Sequence, residues 1–391
     1  MANIDEILYS IAAFICALFV LEWGADKFID HTAILAKRTG LPEALIALLT
    51  AGAEWEELAV VIFSLARGRP QLAYGNVIGS AIANVLGAFS LGLLFYKTDG
   101  EDLVFDRSSR LYTAVQLAVT GVVAVLLFLQ ERLNLRIAGA VLITAFVVYV
   151  ISIFWAIRRG LVAAPEGSDS DSDSDGGSDG SSENHEVSHP DGSLAAHSTT
   201  RNYGTLHEPV VEALQDREPS ISSNSDNERL LFPDKSARRK SLLYHLGYLM
   251  AGFVALTLSA YVLSHAATTL VTALGINEAV FGLVILSIAT TLPEKLIATV
   301  SGLRGYSGIM VANTVGSNIF LLTLCLGVIW VSAGNQTSQP SPTFGILELG
   351  TMVLSSVAMY LAVGIGGRVA RVLGGVMLVA YCAFVVAEIM T

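Results

Sequence analysis

Moved back by 237 positions with no gap, the stretch around Glu294 overlays an earlier stretch of the same chain. Glu294 falls on Glu57, Asn313 on Asn76, and Gly316-Ser317 on Gly79-Ser80. Ser301, Arg304, Gly305 and Ile319 fall on Ser64, Arg67, Gly68 and Ile82. Identities in such register, two of them carboxylates inside apolar runs, exceed what shared apolar bias produces. Upstream, Gly275-Ile276-Asn277-Glu278-Ala279 aligns with Gly40-Leu41-Pro42-Glu43-Ala44 at a shift of 235, so a two-residue indel separates the copies just before the carboxylate. This internal repeat constrains the fold more than any local signal, because what one half builds the other must build again.

Each copy lies within a series of apolar runs. The chain is 53% hydrophobic and 15% charged, with a mean hydropathy of +0.60, which excludes an ordinary soluble globule and indicates a polytopic membrane protein. At about 20 apolar residues per crossing, five helices are expected near 6–37, 41–66, 71–95, 109–129 and 135–157. Five more follow near 241–274, 277–303, 306–331, 343–363 and 368–390. The first and sixth exceed one crossing and should tilt steeply or project. Five spans per copy is an odd number, so the second copy enters from the opposite face. The expected fold class is an all-α polytopic membrane protein of two inverted five-helix repeats, ten transmembrane helices in all.

Within the repeats sit groups foreign to hydrocarbon. An ionised carboxylate there is costly unless it faces a partner, water or an ion, so Glu57 and Glu294 are candidate functional groups. Pro293 precedes Glu294, and a broken helix exposes carbonyls that, beside a carboxylate, make a hard-cation site. Breaks are expected at Thr50 to Ala53 in helix 2 and at Thr290 to Pro293 in helix 7. Calcium takes six to eight oxygens at ~2.3–2.6 Å. Glu57 and Glu294, one from each broken helix, offer two charges to one divalent ion. Carbonyls near Ala53 and Thr290 extend the shell, and the Thr290 and Thr291 hydroxyls suit sodium, which needs fewer oxygens and less charge.

The Thr-Thr-x-Pro-Glu element ending at Glu294, followed by Asn-x-x-Gly-Ser-Asn from Asn313 to Asn318 and duplicated across two halves, resembles the alpha-repeats of the cation/calcium exchanger superfamily. The nearest likeness is to the sodium/calcium exchanger-type membrane region; it covers both halves and leaves out the middle segment. The resemblance implies a secondary antiporter, not an enzyme, that needs no cofactor. It would move calcium in exchange for sodium by alternating access at a midplane carboxylate site. It implies ligand roles for Glu57, Glu294, Thr290, Thr291 and Asn318.

The first copy departs from the family pattern. In Gly52-Ala53-Glu54-Trp55-Glu56-Glu57, Ala53 replaces a threonine, Glu54 a serine and Glu56 a proline, and Ala81 stands where Asn318 stands in the second copy. Side-chain sodium ligands are therefore fewer in that half. Glu54 is three residues from Glu57 on the same helix face, and two carboxylates at one site share a proton until a divalent ion arrives. A proton-coupled calcium or cation exchanger is thus the alternative. A cation channel also uses acidic rings, but paired breaks in inverted repeats favour alternating access.

Other polar residues have structural readings beside functional ones. Asn76 and Asn313 suit an ion pathway or interhelical hydrogen bonding, and Ser80 and Ser317, with Gly79 and Gly316, suit an ion pathway or close helix packing. Lys295, directly after Glu294, should point to another helix face and snorkel or pair elsewhere. Glu22, Asp26 and Asp30 form one stripe on helix 1, either a vestibule or paired structural polars. His265 aligns with Asp30 and is a candidate proton relay. Cys16, Cys325 and Cys382 are scattered in apolar runs and give neither a disulfide framework nor metal spacing.

The domains are expected as 1–160 and 239–391 for the two repeats, with 161–238 an acidic Ser/Asp-rich loop. Between Gly160 and Lys240 there are 16 acidic and 7 basic residues, a net of −9 out of the chain's −11. That composition cannot bury enough apolar surface to order itself. Lysine and arginine concentrate on the face that carries Lys97, Arg107, Arg110, Arg158, Arg159, Arg304, Arg368, Arg371 and the Lys235–Lys240 cluster, so that face and the loop should be cytosolic. The Asn335 sequon then falls on the other face. The setting is the plasma membrane or an internal membrane of vacuolar or ER type. The expected partners are calcium and sodium ions (protons in the alternative) and the bilayer, with no nucleic acid and no obligate protein.

Overall fold

The computed structural model describes residues 4–38, 54–97, 103–159, 242–333 and 344–390. Ala53, the break expected at Thr50 to Ala53, the Asn335 sequon and the loop 161–238 lie outside the described residues.

Among the described residues every regular element is helical. The first repeat comprises α1 (Ile4–Arg38), α2 (Trp55–Ala66), α3 (Pro70–Leu94), α4 (Arg107–Phe128) and α5 (Leu135–Arg158). The second comprises α6 (Leu242–Leu274), α7 in two halves (Glu278–Thr290 and Leu292–Leu303), α8 (Ser307–Ile319, continuing to Ala333), α9 (Ile346–Ile365) and α10 (Gly367–Met390). Among the described residues eight of these helices are long and apolar enough to cross a bilayer, and the two halves of the bent α7 together are a ninth candidate. The spans agree with the hydropathy reading to within a few residues, except that the first part of the span expected at 41–66 lies outside the described residues.

The repeat recurs in the local geometry. Trp55–Ala66 moved by 237 is Leu292–Leu303, and Pro70–Ile82 is Ser307–Ile319. After each of the latter helices the backbone widens into a π segment, Ala83–Phe89 in α3 and Phe320–Cys325 in α8, which begin at matched positions. The turn into α3 explains one repeated residue. Gly68 sits at φ 71°, its N–H bonding the Leu65 carbonyl while Arg69 N–H reaches the Ser64 carbonyl. Gly305, at φ 76°, repeats this with Gly302, and Tyr306 with Ser301. This helix ending requires a left-handed residue, which glycine adopts without a Cβ penalty.

Burial identifies the centre. In α3 and α8, 89% and 78% of the apolar span is buried, against 17% to 33% in the other unbroken spans. Those two helices are enclosed by the others, so the polar residues they carry, Asn76, Ser80 and Asn84 on α3 and Ser317 and Asn318 on α8, are buried. The remainder keep large apolar side chains such as Phe19, Val122, Val148, Leu354 and Val379 on the outside, where lipid solvates them. Close crossings hold the centre together. A Cβ on Gly79 would lie 2.7 Å from Leu283 Cα, and one on Gly282 would lie 2.9 Å from Asn76 N, so α3 meets the first half of α7 backbone to backbone. The long helices α1 and α6 pair in the same way, Gly24 against the backbone at Leu256 and Gly252 against that at Phe28.

Candidate cation site

The two inner helices bring together the ends of two others. In α7 the halves bend by 46° at Thr291, the residue between them, with Pro293 in the first turn of the second half. Proline lacks an N–H and clashes with the preceding turn, so the ladder breaks there. In the first repeat α2 begins at Trp55, leaving Glu54 as its cap residue. Glu56 and Glu57 occupy the first turn of α2, as Glu294 does in the second half of α7, and a helix N-terminus favours negative charge.

The four carboxylates divide into two groups. Glu57, fully buried, accepts from Asn76 Nδ2, from Ser80 Oγ at 2.8 Å and from Thr290 Oγ1 at 2.6 Å. Both its oxygens are engaged, and the Thr290 bond ties α2 to α7. Asn76 and Ser80 are therefore hydrogen-bond donors to a carboxylate, not merely packing residues. The second group is Glu54, Glu56 and Glu294, all buried, whose carboxylate oxygens lie within 4.8 Å of one another. At that separation one ion can touch all three at ~2.3–2.6 Å. Asn84 Nδ2 holds Glu54 Oε1 at 3.1 Å.

Unpartnered oxygens are also present on these inner helices. Among the described residues, Glu54 Oε2, Glu294 Oε2, Asn76 Oδ1, Asn84 Oδ1, Ser317 Oγ and Asn318 Oδ1 are buried without a hydrogen-bond partner. Ser317 lies beside Glu54 but forms no hydrogen bond of good geometry. Orphaned buried oxygens are costly, and a hard cation would satisfy them. Asn318 is oriented by its amide, Nδ2 donating to the Ala81 carbonyl at 3.1 Å.

The remaining residues read from the sequence are placed as follows. Thr290 and Thr291 flank the α7 break; Thr291 donates to the Ser287 carbonyl at 2.5 Å. Lys295 departs from the expectation drawn from helix facing. Its stem folds back one turn, and its ammonium donates to the Thr291 carbonyl at 3.2 Å and to the Thr291 hydroxyl. Asn313 keeps its Nδ2 buried and unpartnered on α8. On α1, Asp30 pairs with Lys27 at 3.7 Å. His265 accepts from the Arg67 guanidinium, which also lies over the Tyr261 ring.

Glu56, Asn84 and the inward ammonium of Lys295 are the site residues that sequence reasoning missed. Asn84 carried a signal, since Asn76, Ser80 and Asn84 recur at helical spacing on one face of α3.

Comparison with known proteins agrees with this architecture. The family model described as "Sodium/calcium exchanger protein" matches residues 9–155 and 244–390. The putative antiporter CaxA of Alkalimonas amylolytica is 22% identical over 370 residues, 94% of each chain. Sodium/potassium/calcium exchanger 4 of Homo sapiens is 30% identical over 155 residues, 37% of this chain and 25% of that protein. A solved structure of the sodium-calcium exchanger NCX_Mj, soaked with Na+ and Sr2+, superposes with a TM-score of 0.51 at 17% identity, covering 96% of this chain and 99% of that one.

Proposed function

This chain belongs to the sodium/calcium exchanger protein family, and from that premise we propose that it moves calcium across a membrane in exchange for sodium, by alternating access at the carboxylates between α2, α3, α7 and α8. The observation that carries this reading is the convergence of Glu54, Glu56 and Glu294 to within 4.8 Å in a buried setting. Three carboxylates from two repeats repel one another unless a cation lies among them. Calcium supplies two charges and accepts the oxygens of Glu54, Glu294, Asn84, Ser317 and Asn318 as further ligands. Glu57 serves from behind, joining Asn76, Ser80 and Thr290 so that α2, α3 and α7 move as one body. Sodium, with a smaller demand for charge, competes for the same carboxylates from the Thr290 side. One site filled alternately is the physical basis of antiport.

The two repeats 1–160 and 239–391 then enter the bilayer from opposite faces, with the acidic loop 161–238 cytosolic, in the plasma membrane or an internal membrane. The deciding experiment is calcium flux in proteoliposomes. Uphill calcium uptake driven by an outward sodium gradient is expected, and its absence under both sodium and proton gradients overturns the reading.

A second reading has its own observation. Glu54, where the family pattern has serine, sits inside the carboxylate cluster. Protons can neutralise such a cluster in place of sodium, which makes a proton-coupled exchanger the alternative. Glu54→Ser separates the two. Under proton coupling it weakens the pH dependence of calcium flux and strengthens the sodium dependence; under sodium coupling the pH profile stays as in the parent.

A further inference from the structure

Lys295 and Gly87 depart from the repeat together. The positions equivalent to them, 237 residues away, are Leu58 and Leu324. Leu58 and Leu324 are both half-buried and packed against the main apolar core. Where the second half has Lys295 the first has a leucine, and where the first half has Gly87 the second has a leucine. The two changes fit each other. A Cβ on Gly87 would lie 3.2 Å from Lys295 Cε and 3.5 Å from the Tyr381 ring, so the missing side chain on α3 leaves the crevice through which the lysine stem runs. The stem ends with the ammonium on the Thr291 carbonyl and hydroxyl oxygens. Thr291 is itself fully buried at the α7 break, and the ammonium's field reaches Glu294, Glu54 and Glu57.

Two oxygens at a helix break beside carboxylates are what a monovalent cation would occupy, and here a tethered one holds them. We propose that the Lys295 ammonium is a built-in substitute for one transported monovalent cation. It is seated at Thr291, so that each calcium exchanged is accompanied by one counter-ion fewer than with a neutral residue there. This rests on the antiporter reading. The lysine charge stays with the protein through the cycle, so it offsets one carboxylate in every state and is never released. The hydroxyl keeps its own donation to Ser287 and offers its lone pair to the ammonium.

The test compares the full chain with Lys295→Met, Lys295→Gln and Lys295→Arg in proteoliposomes. The sodium-to-calcium ratio is read from the reversal potential of calcium flux, and sodium binding from the sodium-dependent rise in Tm of the purified proteins. Both neutral variants are expected to carry one more sodium per calcium than the parent and to gain a larger sodium-dependent Tm rise, with the Arg variant matching the parent. Gly87→Leu, which fills the crevice while keeping the lysine, should show the same gain and serves if the neutral variants fold poorly. An unchanged ratio and an unchanged sodium-dependent Tm rise overturn the proposal. So does loss of flux without any gain in sodium stabilisation. If the parent moves no calcium under any gradient, the antiporter reading falls, and the Tm comparison still judges Lys295.

Discussion

Asn318 donates its side-chain amide to the main-chain carbonyl of Ala81 at 3.1 Å, and the two residues stand 237 positions apart, the interval of the repeat. A residue that touches its own counterpart must lie close to the axis relating the halves. Thr120 and Ser356, on α4 and α9 and 236 positions apart, meet in the same way at 3.1 Å. The side-chain asymmetry at the axis is useful, because Ala81 contributes only backbone and Asn318 supplies both the donor and a free oxygen. Replacing Asn318 by Ala removes the hydrogen bond, at about 1 kcal/mol of stability, and the unpartnered oxygen proposed above as a ligand. A lower Tm and about tenfold weaker calcium binding are expected together, measured by calcium-dependent melting.

The division of the carboxylates predicts different behaviour for neighbours in one helical turn. Glu294→Gln and Glu56→Gln each remove a charge from the cluster and should abolish calcium-driven flux or weaken calcium binding by about tenfold or more, without unfolding the protein. Glu57→Gln keeps acceptors for Ser80 and Thr290, and a flip of Asn76 turns its free oxygen to the new amide. It should fold like the parent and weaken calcium binding less than Glu56→Gln does. Glu57→Ala leaves the Asn76 and Ser80 donors unpaired, while Thr290 keeps the Leu286 carbonyl at 3.0 Å, and should lower stability by about 1–3 kcal/mol for each buried group left unsatisfied. Calcium-45 uptake and thermal melting of the same preparations check both halves of this prediction.

At the α3–α7 crossing, Gly79→Ala puts a Cβ 2.7 Å from Leu283 Cα, where backbone and not a side-chain end must give way. A loss of about 1–3 kcal/mol is expected, seen as a lower Tm and less monodisperse protein. Gly121→Ala on α4 is the control, with nothing within 4 Å of the added atom. It should be neutral or stabilising by about 0.5–1 kcal/mol.

Outside the spans, Asp106 caps α4, accepting from Ser109 N at 2.9 Å and Ser108 N at 3.2 Å. Partial burial pulls its carboxyl up, but the hydrogen bonds from Ser109 and Ser108 outweigh that and hold it below the usual 3.8. A depressed carboxyl stabilises the fold above its unfolded pKa, and this contribution fades as pH falls through the folded value. Asp106→Ala should cost about 1 kcal/mol at neutral pH, and the difference in Tm from the parent should shrink below about pH 4.

The fold was legible because the repeat and the hydropathy carry it. Helix ends recur at a fixed offset, the glycine turns are repeated residues, and Pro293 breaks α7 where a proline must. The carboxylates were legible as a set, but their hydrogen-bond partners were not. A motif match selects Glu57 by alignment, yet whether a carboxylate meets hydroxyls or an ion is decided by its rotamer and by which donors α3 presents. Glu56 went unread because the family pattern has proline there. Lys295 defeated the facing argument because adjacent residues diverge on a helix, whereas a four-carbon stem returns over its own preceding turn if a crevice receives it. That crevice depends on Gly87, which has no sequence proximity to it.

The paired π segments carry a record of descent. A π turn marks one residue more than a regular helix would hold, and in α3 and α8 it begins at matched positions. Two independent insertions would have to strike the same site by coincidence. A matched start is what duplication of one five-helix unit already carrying the extra residue would leave. At the matched positions Glu54, Gly87 and Lys295 meet Thr291, Leu324 and Leu58, so the two halves differ there in side chain. The helix geometry is common to both halves, whereas the side chains set upon it are not.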